Sequence, residues 1–219
     1  MQKTLAILFS LVACIAVGSP TKSMLGSSGM EFLDGSGHFQ SEVEYIEFDG
    51  SQCILLDDIA PNYYTYKYTE IDYQLTEIKA GVVQKIGSSS LNVYICTGHG
   101  YVQTQSLGIH ADLDRHVITM DGVSYPYQCF YDGMKIFDFS RTSNSERRFC
   151  IGASDERNGL SYFSMMRFFG MTISASSASN SPEHFFVPYR IDEIGCIKDI
   201  VTGRIYLPTN PVIIGPDKE

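Results

Sequence analysis

The sequence predicts an all-β domain built as a two-sheet sandwich or a barrel, and three observations carry that prediction. Many short runs rich in β-branched and aromatic residues follow one another, broken by Gly, Asp, Asn and Ser. No segment keeps a 3.6-residue apolar period long enough for an amphipathic helix. The run LSYFSMMRFFGMTIS, Leu160 to Ser174, has apolar residues at the odd positions Phe163, Met165, Phe169, Met171 and Ile173. A strand alternates its faces at every residue, so these five share one side. Tyr162, Met166 and Phe168 add apolar surface to the other, which suits a covered central strand. The run is also long enough for a buried helix, but its alternation and three Phe favour the strand.

The chain opens with a segment outside the fold. Lys3 precedes an apolar run from Leu5 to Val17, too short for a lasting membrane span. Ala16-Val17-Gly18 then places small residues where a signal peptidase reads, so residues 1–18 read as a secretory signal peptide. A second reading competes: Leu11-Val12-Ala13-Cys14 fits a lipoprotein cleavage box, which would lipidate Cys14 and hold the chain at a cell surface. No other segment is apolar enough for a transmembrane span. Residues 19–40, rich in Ser and Gly, read as a flexible leader, and residues 41–219 as one domain.

Within that domain the expected strands lie in VEYIEFDG, SQCILLDD, YKYTEIDYQLT, AGVVQKIG, LNVYICTG, YVQTQS, RHVITMDG, YQCFYDG, MKIFDFS, RRFCIGA and HFFVPYR. Asp49-Gly50, Asp121-Gly122 and Asp132-Gly133 are tight-turn signals that suit hairpins. The polar turn SDERNG ends in Asn158-Gly159, and SASSASNSP reads as an exposed loop. Beyond Cys14 there are five cysteines: Cys53, Cys96, Cys129, Cys150 and Cys196. Each sits in an apolar run and none has metal-ligand spacing, so they read as small buried hydrophobes with at most one disulfide. The formal net charge of −9 argues against a nucleic-acid partner, whose phosphates need a basic surface.

Several segments, in order, resemble a known family. They are YIEFDGSQCILLDDIAPNYYTYKYTEIDYQLT, RHVITMDG with CFYDGMKI, RRFCIGASDERNGLSYFSMMRFFGMTIS, and FFVPYRIDEIGCIKDIVTGRIYL. Together they are similar to the laminin-G-like, concanavalin A-like lectin/glucanase domain of exported bacterial proteins. The resemblance spans nearly all of Val43 to Gly215. It departs at Cys53 and Cys196 and in the Ser-rich stretch before Pro182. It implies a two-sheet antiparallel jelly-roll sandwich. It also implies an exported, non-catalytic domain, secreted or at the cell surface, that binds a glycan or a cell-surface or matrix protein. A fold alone does not fix function. A structural or adhesive surface protein without a small ligand is the alternative, and a glycoside hydrolase a more distant one.

Three chemistries have candidate residues in this sequence. Glucanases of this fold carry two Glu on one strand, and here Glu70-Ile71-Asp72 with Glu77 comes nearest. Glu77 has the opposite strand parity to Glu70 and lies roughly 23 Å along a straight strand, far beyond the ~5 Å a retaining pair needs. No catalytic residue is therefore expected. The even positions of the same strand, Tyr64, Tyr66, Tyr68, Glu70, Asp72 and Gln74, form the candidate ligand face. Aromatic faces stack on sugar rings and carboxylates take hydroxyls, while Ile71, Tyr73 and Leu75 point to the core. The plain polar exterior of an amphipathic strand fits the same pattern, and the absence of tryptophan counts against a sugar platform. For metal, the candidates are Asp112 and Asp114, near His110 and His116, and Asp155 in the SDERNG turn. Ca2+ is the ion that the resemblance implies at a sandwich rim. A pair of Asp in a polar loop fits a solvated turn as well, and His116 reads as structural.

Overall fold

Antiparallel pairing organises everything that the computed structural model describes. Those residues are 32–33, 37–59, 67–78, 83–84, 86, 94–96, 101–103, 109–110, 112–123, 125–139, 149–156, 159–177 and 181–219. The expected signal peptide, Cys14, Tyr64 and Tyr66 lie outside them. Among the described residues there is no helix, and so none long and apolar enough to cross a membrane. The strands in order are β1 (Phe32–Leu33), β2 (Phe39–Glu42), β3 (Ile46–Asp49), β4 (Ile54–Leu56), β5 (Tyr68–Leu75), β6 (Val83–Gln84) and β7 (Tyr94–Cys96). There follow β8 (Tyr101–Gln103), β9 (Ile109–His110), β10 (Arg115–Asp121), β11 (Tyr127–Tyr131), β12 (Met134–Phe139), β13 (Phe149–Ile151) and β14 (Ser154–Glu156). The last are β15 (Gly159–Ser161), β16 (Met165–Ser174), β17 (His184–Ile191), β18 (Ile194–Asp199), β19 (Ile205–Tyr206) and β20 (Ile213–Ile214).

The main sheet runs β1-β2-β17-β16-β5-β10-β11-β12, with β18 on β17, β19 on β18, and β3 and β20 joined beside β16. One edge of β16 is shared: its first half pairs with β3, as in Arg167↔Glu47, and its second half with β17, as in Met171↔Phe186. The other edge pairs with β5 throughout. A ribbon of β4 and β13 packs Ile54, Leu56, Phe149 and Ile151 into the same core as Phe48, Ile71, Tyr73, Ile118, Phe168 and Phe186. This all-β, layered arrangement is consistent with a β-sandwich. On its far side the ribbon buries Cys53 and Cys150 with Ala153, against Leu160 and Phe163. Cys53, Cys129, Cys150 and Cys196 are all reduced and buried. Burial pushes the Cys129 and Cys196 thiols up to about 12.

The central strand is real but shorter than Leu160 to Ser174. Gly159–Ser161 pairs back on Ser154–Glu156, so part of the expected polar turn is itself strand. The chain then turns at Tyr162, whose φ of 57° lies in the left-handed region and breaks the extended run. Phe163 accordingly packs in the small Cys53–Cys150 cluster rather than continuing β16.

A second correction concerns face. Phe168 pairs with Tyr73 but Gly170 with Asp72, so Phe169 is an extra residue in the ladder, a β-bulge. A bulge reverses parity. Before it the even residues Met166 and Phe168 enter the core; after it the odd residues Met171 and Ile173 do. Phe169, expected in the core with Met171 and Ile173, instead stands half-exposed on the outer face.

The turn signals divide. Asp132 and Gly133 both have positive φ, 49° and 77°, and close the two-residue hairpin between Tyr131 and Met134. Asp121-Gly122 opens a longer connection from β10 to β11. Asp49-Gly50 leads from β3 to β4, which do not pair with each other, so it is not a hairpin. Phe39 and Gln40, at the end of the expected leader, belong to β2 and sit in the main sheet beside β17.

Candidate functional site

The strict alternation of β5 decides which side chains it can offer. Thr69, Ile71, Tyr73 and Leu75 are buried, while Tyr68, Glu70, Asp72 and Gln74 are half-exposed on the outer face. Four of the six expected ligand-face residues are therefore brought together. The neighbouring strands add residues that reading along β5 alone could not supply. Register sets Thr172 and Thr119 on either side of Glu70, Gly170 and Val117 beside Asp72, and Arg167 and Arg115 beside Gln74.

Asp72 is gripped by Arg115 through two parallel bonds, Nε to Oδ1 at 2.8 Å and Nη2 to Oδ2 at 2.6 Å. Such a fork fixes both groups geometrically. The Arg115 guanidinium also lies 3.9 Å from the centre of the Phe169 ring, the residue turned outward by the bulge. Phe169 meets Tyr45 edge-on at 5.7 Å, and Arg167 lies 4.5 Å from the centre of the Tyr45 ring. Arg167 in turn donates to Glu47 at 2.7 Å. The result is a ladder of guanidinium, ring, ring and guanidinium, each cation held by a carboxylate. Gly215 permits it, because a Cβ there would lie 3.0 Å or less from Tyr45 atoms. Gln74 donates to the Leu113 carbonyl at 2.7 Å.

Glu70 differs from its neighbours. The Tyr68 and Thr119 hydroxyls stand 3.4 and 3.5 Å from Oε1, and the Thr172 hydroxyl 3.5 Å from Oε2. Burial first, and then the charge of Glu70, push the Tyr68 phenol above its ordinary value, so it stays a neutral donor. Glu77 lies two residues past the end of β5 and is exposed.

Of the expected metal residues, Asp112 is engaged within its own loop. Oδ1 of Asp112 already accepts the backbone N–H of Asp114 at 2.8 Å and meets His116 Nε2 at 2.6 Å. These bonds hold the Asp112 carboxyl below its usual range, the one from His116 first. Asp155 pairs with Leu160 in the separate β14–β15 ribbon. Among the described residues no three His, Cys, Asp or Glu side chains come together to hold a metal ion.

His116 is a clamp on the core side of the sheet. Its Nδ1 meets Asp132 Oδ2 at 2.7 Å while Nε2 meets Asp112, and its ring stacks on Tyr131 at 4.6 Å. An imidazole can donate from both nitrogens only when protonated. Burial pulls its pKa down, but the bonds and charges of the two Asp together outweigh this, and the net direction is up from 6.5. The raised folded value means that this stabilisation is fully present below about 6.5 and is lost as pH rises through the folded value. Urea unfolding from pH 6 to 9 should show stability falling with pH, and the fall should vanish in His116→Gln. A wild-type curve with no such fall would refute the clamp.

No protein-family model matches this sequence, and neither does any curated protein or solved structure.

Proposed function

We propose that this chain is an exported, non-catalytic carbohydrate-binding domain of the jelly-roll, concanavalin A-like class. Its ligand lies on the outer face of β5, β10 and β16. One observation carries the reading: the forked Arg115–Asp72 pair beside the hydroxyl-ringed carboxylate of Glu70, flanked by the outward Phe169. Sugars present ring faces and paired hydroxyls, and this surface offers fixed planes, fixed acceptors and fixed donors within one small area. The ordered resemblance of the segments and the antiparallel sheets support the class. The end of β5 at Leu75, which leaves Glu77 off the Glu70 face, supports a binding rather than a hydrolytic role.

The test is a glycan array probed with the whole chain, followed by titration of the strongest ligand. Tyr68→Ala should weaken binding by roughly threefold to tenfold, about 0.5–1.5 kcal/mol for an aromatic contact. It should leave thermal unfolding little changed, since Tyr68 lies outside the core. If no glycan is retained, the reading is wrong. Undiminished affinity in Tyr68→Ala would remove the ligand from this face.

A further inference from the structure

The three carboxylates at the heart of this face are not equivalent. Asp72 is neutralised by Arg115 and Glu47 by Arg167. Glu70 has no such partner: its three neighbours are hydroxyls, and no Lys, Arg or His is paired with it among the described residues. The hydroxyls stand at 3.4–3.5 Å, well beyond the ~2.5–2.7 Å of a strong bond from a hydroxyl to a carboxylate. They orient the carboxylate without compensating its charge. Asp121, directly across from Tyr68 in the β5–β10 ladder, adds another negative group to the same face. The chain as a whole carries −9.

A polyanionic ligand would meet two guanidiniums already committed to carboxylates and one carboxylate that is not. Uronates, sulfated sugars and phosphorylated ligands are disfavoured by that arrangement. An ammonium group reaching Glu70 would supply the charge that the protein does not. The half-buried position strengthens such a pair relative to one on open surface. Arg115 uses Nε and Nη2 on Asp72, so Nη1 stays directed elsewhere, with the side chain 55% exposed. It is a ready donor for a sugar hydroxyl beside the ammonium.

We propose that the ligand of this face is an amine-bearing saccharide, with its ammonium on Glu70 and adjoining hydroxyls on Arg115 and Asp72. This rests on the carbohydrate reading above and narrows it to a charge class. Tyr68, Thr119 and Thr172 are then positioning residues that aim the Glu70 carboxylate.

The experiment is calorimetric titration of the whole chain with three oligosaccharides of equal length at mildly acidic pH. These are a β-1,4-glucosamine oligomer with free amines, its fully N-acetylated counterpart, and an oligogalacturonate. The free-amine oligomer should bind about fivefold tighter than the N-acetylated one, the scale of one partly exposed ion pair. The uronate should be the weakest. In Glu70→Gln the amine advantage should disappear while binding of the N-acetylated chain persists. In the unaltered protein the advantage should also shrink as salt rises from about 0.05 to 0.5 M, a reading that needs no variant. Equal binding of the amine and N-acetylated chains overturns the charge assignment but leaves the carbohydrate reading standing. So does an amine advantage that survives Glu70→Gln, or a uronate that binds best. Failure of every saccharide on this titration and on the array overturns both.

Discussion

Replacing Phe168 with Ala should lower the unfolding free energy by about 3–5 kcal/mol, whereas the same change at Phe169 should lower it by only about 1 kcal/mol. The two are neighbours in sequence and identical in chemistry, so only the bulge separates them. Phe168 has no exposed surface and belongs to the main core with Phe48, Tyr73 and Phe186. Its removal leaves a cavity beneath the central strand, and a sheet layer closes over such a void poorly. Phe169 loses an edge contact with Tyr45 and the cover of Arg115, both near solvent. Urea unfolding of the two variants is the measurement. Equal losses, or a larger one at Phe169, would show that the ladder continues without a bulge and that the outward ring is misplaced.

Asp199→Ala should be nearly as damaging, at about 3 kcal/mol or more, because Asp199 is a buried hub rather than a surface charge. Its side chain is 0% exposed. Oδ1 accepts the backbone N–H groups of Phe185 and Val201, both at 3.0 Å. Oδ2 accepts the Thr202 hydroxyl at 2.7 Å and meets His184 Nδ1 at 2.8 Å. Truncation leaves two backbone donors and a hydroxyl without their acceptor. Burial raises the pKa of Asp199, but its hydrogen bonds, led by the one from His184, outweigh burial and hold it below 3.8. A depressed folded value adds stability above about 3.8, and that stability is lost as pH falls through the folded value. Asp199→Asn should therefore lose stability at pH 7 yet show a shallower further loss on acidification. Parallel acid curves for the variant and the unaltered chain would remove Asp199 from that role.

Legibility from sequence followed the physics of each signal. The β5 face was readable because period-2 alternation is local: Ile71, Tyr73 and Leu75 go inward and Tyr68, Glu70, Asp72 and Gln74 outward without reference to anything else. Every run expected to be a strand contains one. The Asp132-Gly133 hairpin was readable because both residues tolerate positive φ. What failed was information held between strands. The bulge at Phe169 is a relation between β16 and β5, and an unbroken alternation cannot announce it. Arg115, Arg167, Tyr45 and Phe169 were missed as site residues for the same reason, since each joins the face through register with a distant segment. One cue was available in retrospect: Gly170, directly after two Phe in a strand-like run, marks a place where regular pairing gives way. In one dimension the Asp112 and Asp114 pair reads as a ligand set, and only the fold shows the Asp112 carboxylate capping the Asp114 N–H and meeting His116.

The shared edge of β16 also constrains when the sheet can exist. Glu47 waits for Arg167, and Glu42 in β2 waits for Tyr189 in β17. At ~5–20 residues added per second, a nascent chain carries β3 for about 6–24 s before its partner has been made. Through that interval Ile46 and Phe48, which end up fully enclosed, lack the part of their core that Met166, Phe168 and Phe186 supply. A sheet whose first strands are completed by its last ones cannot be finished until most of the chain has been made.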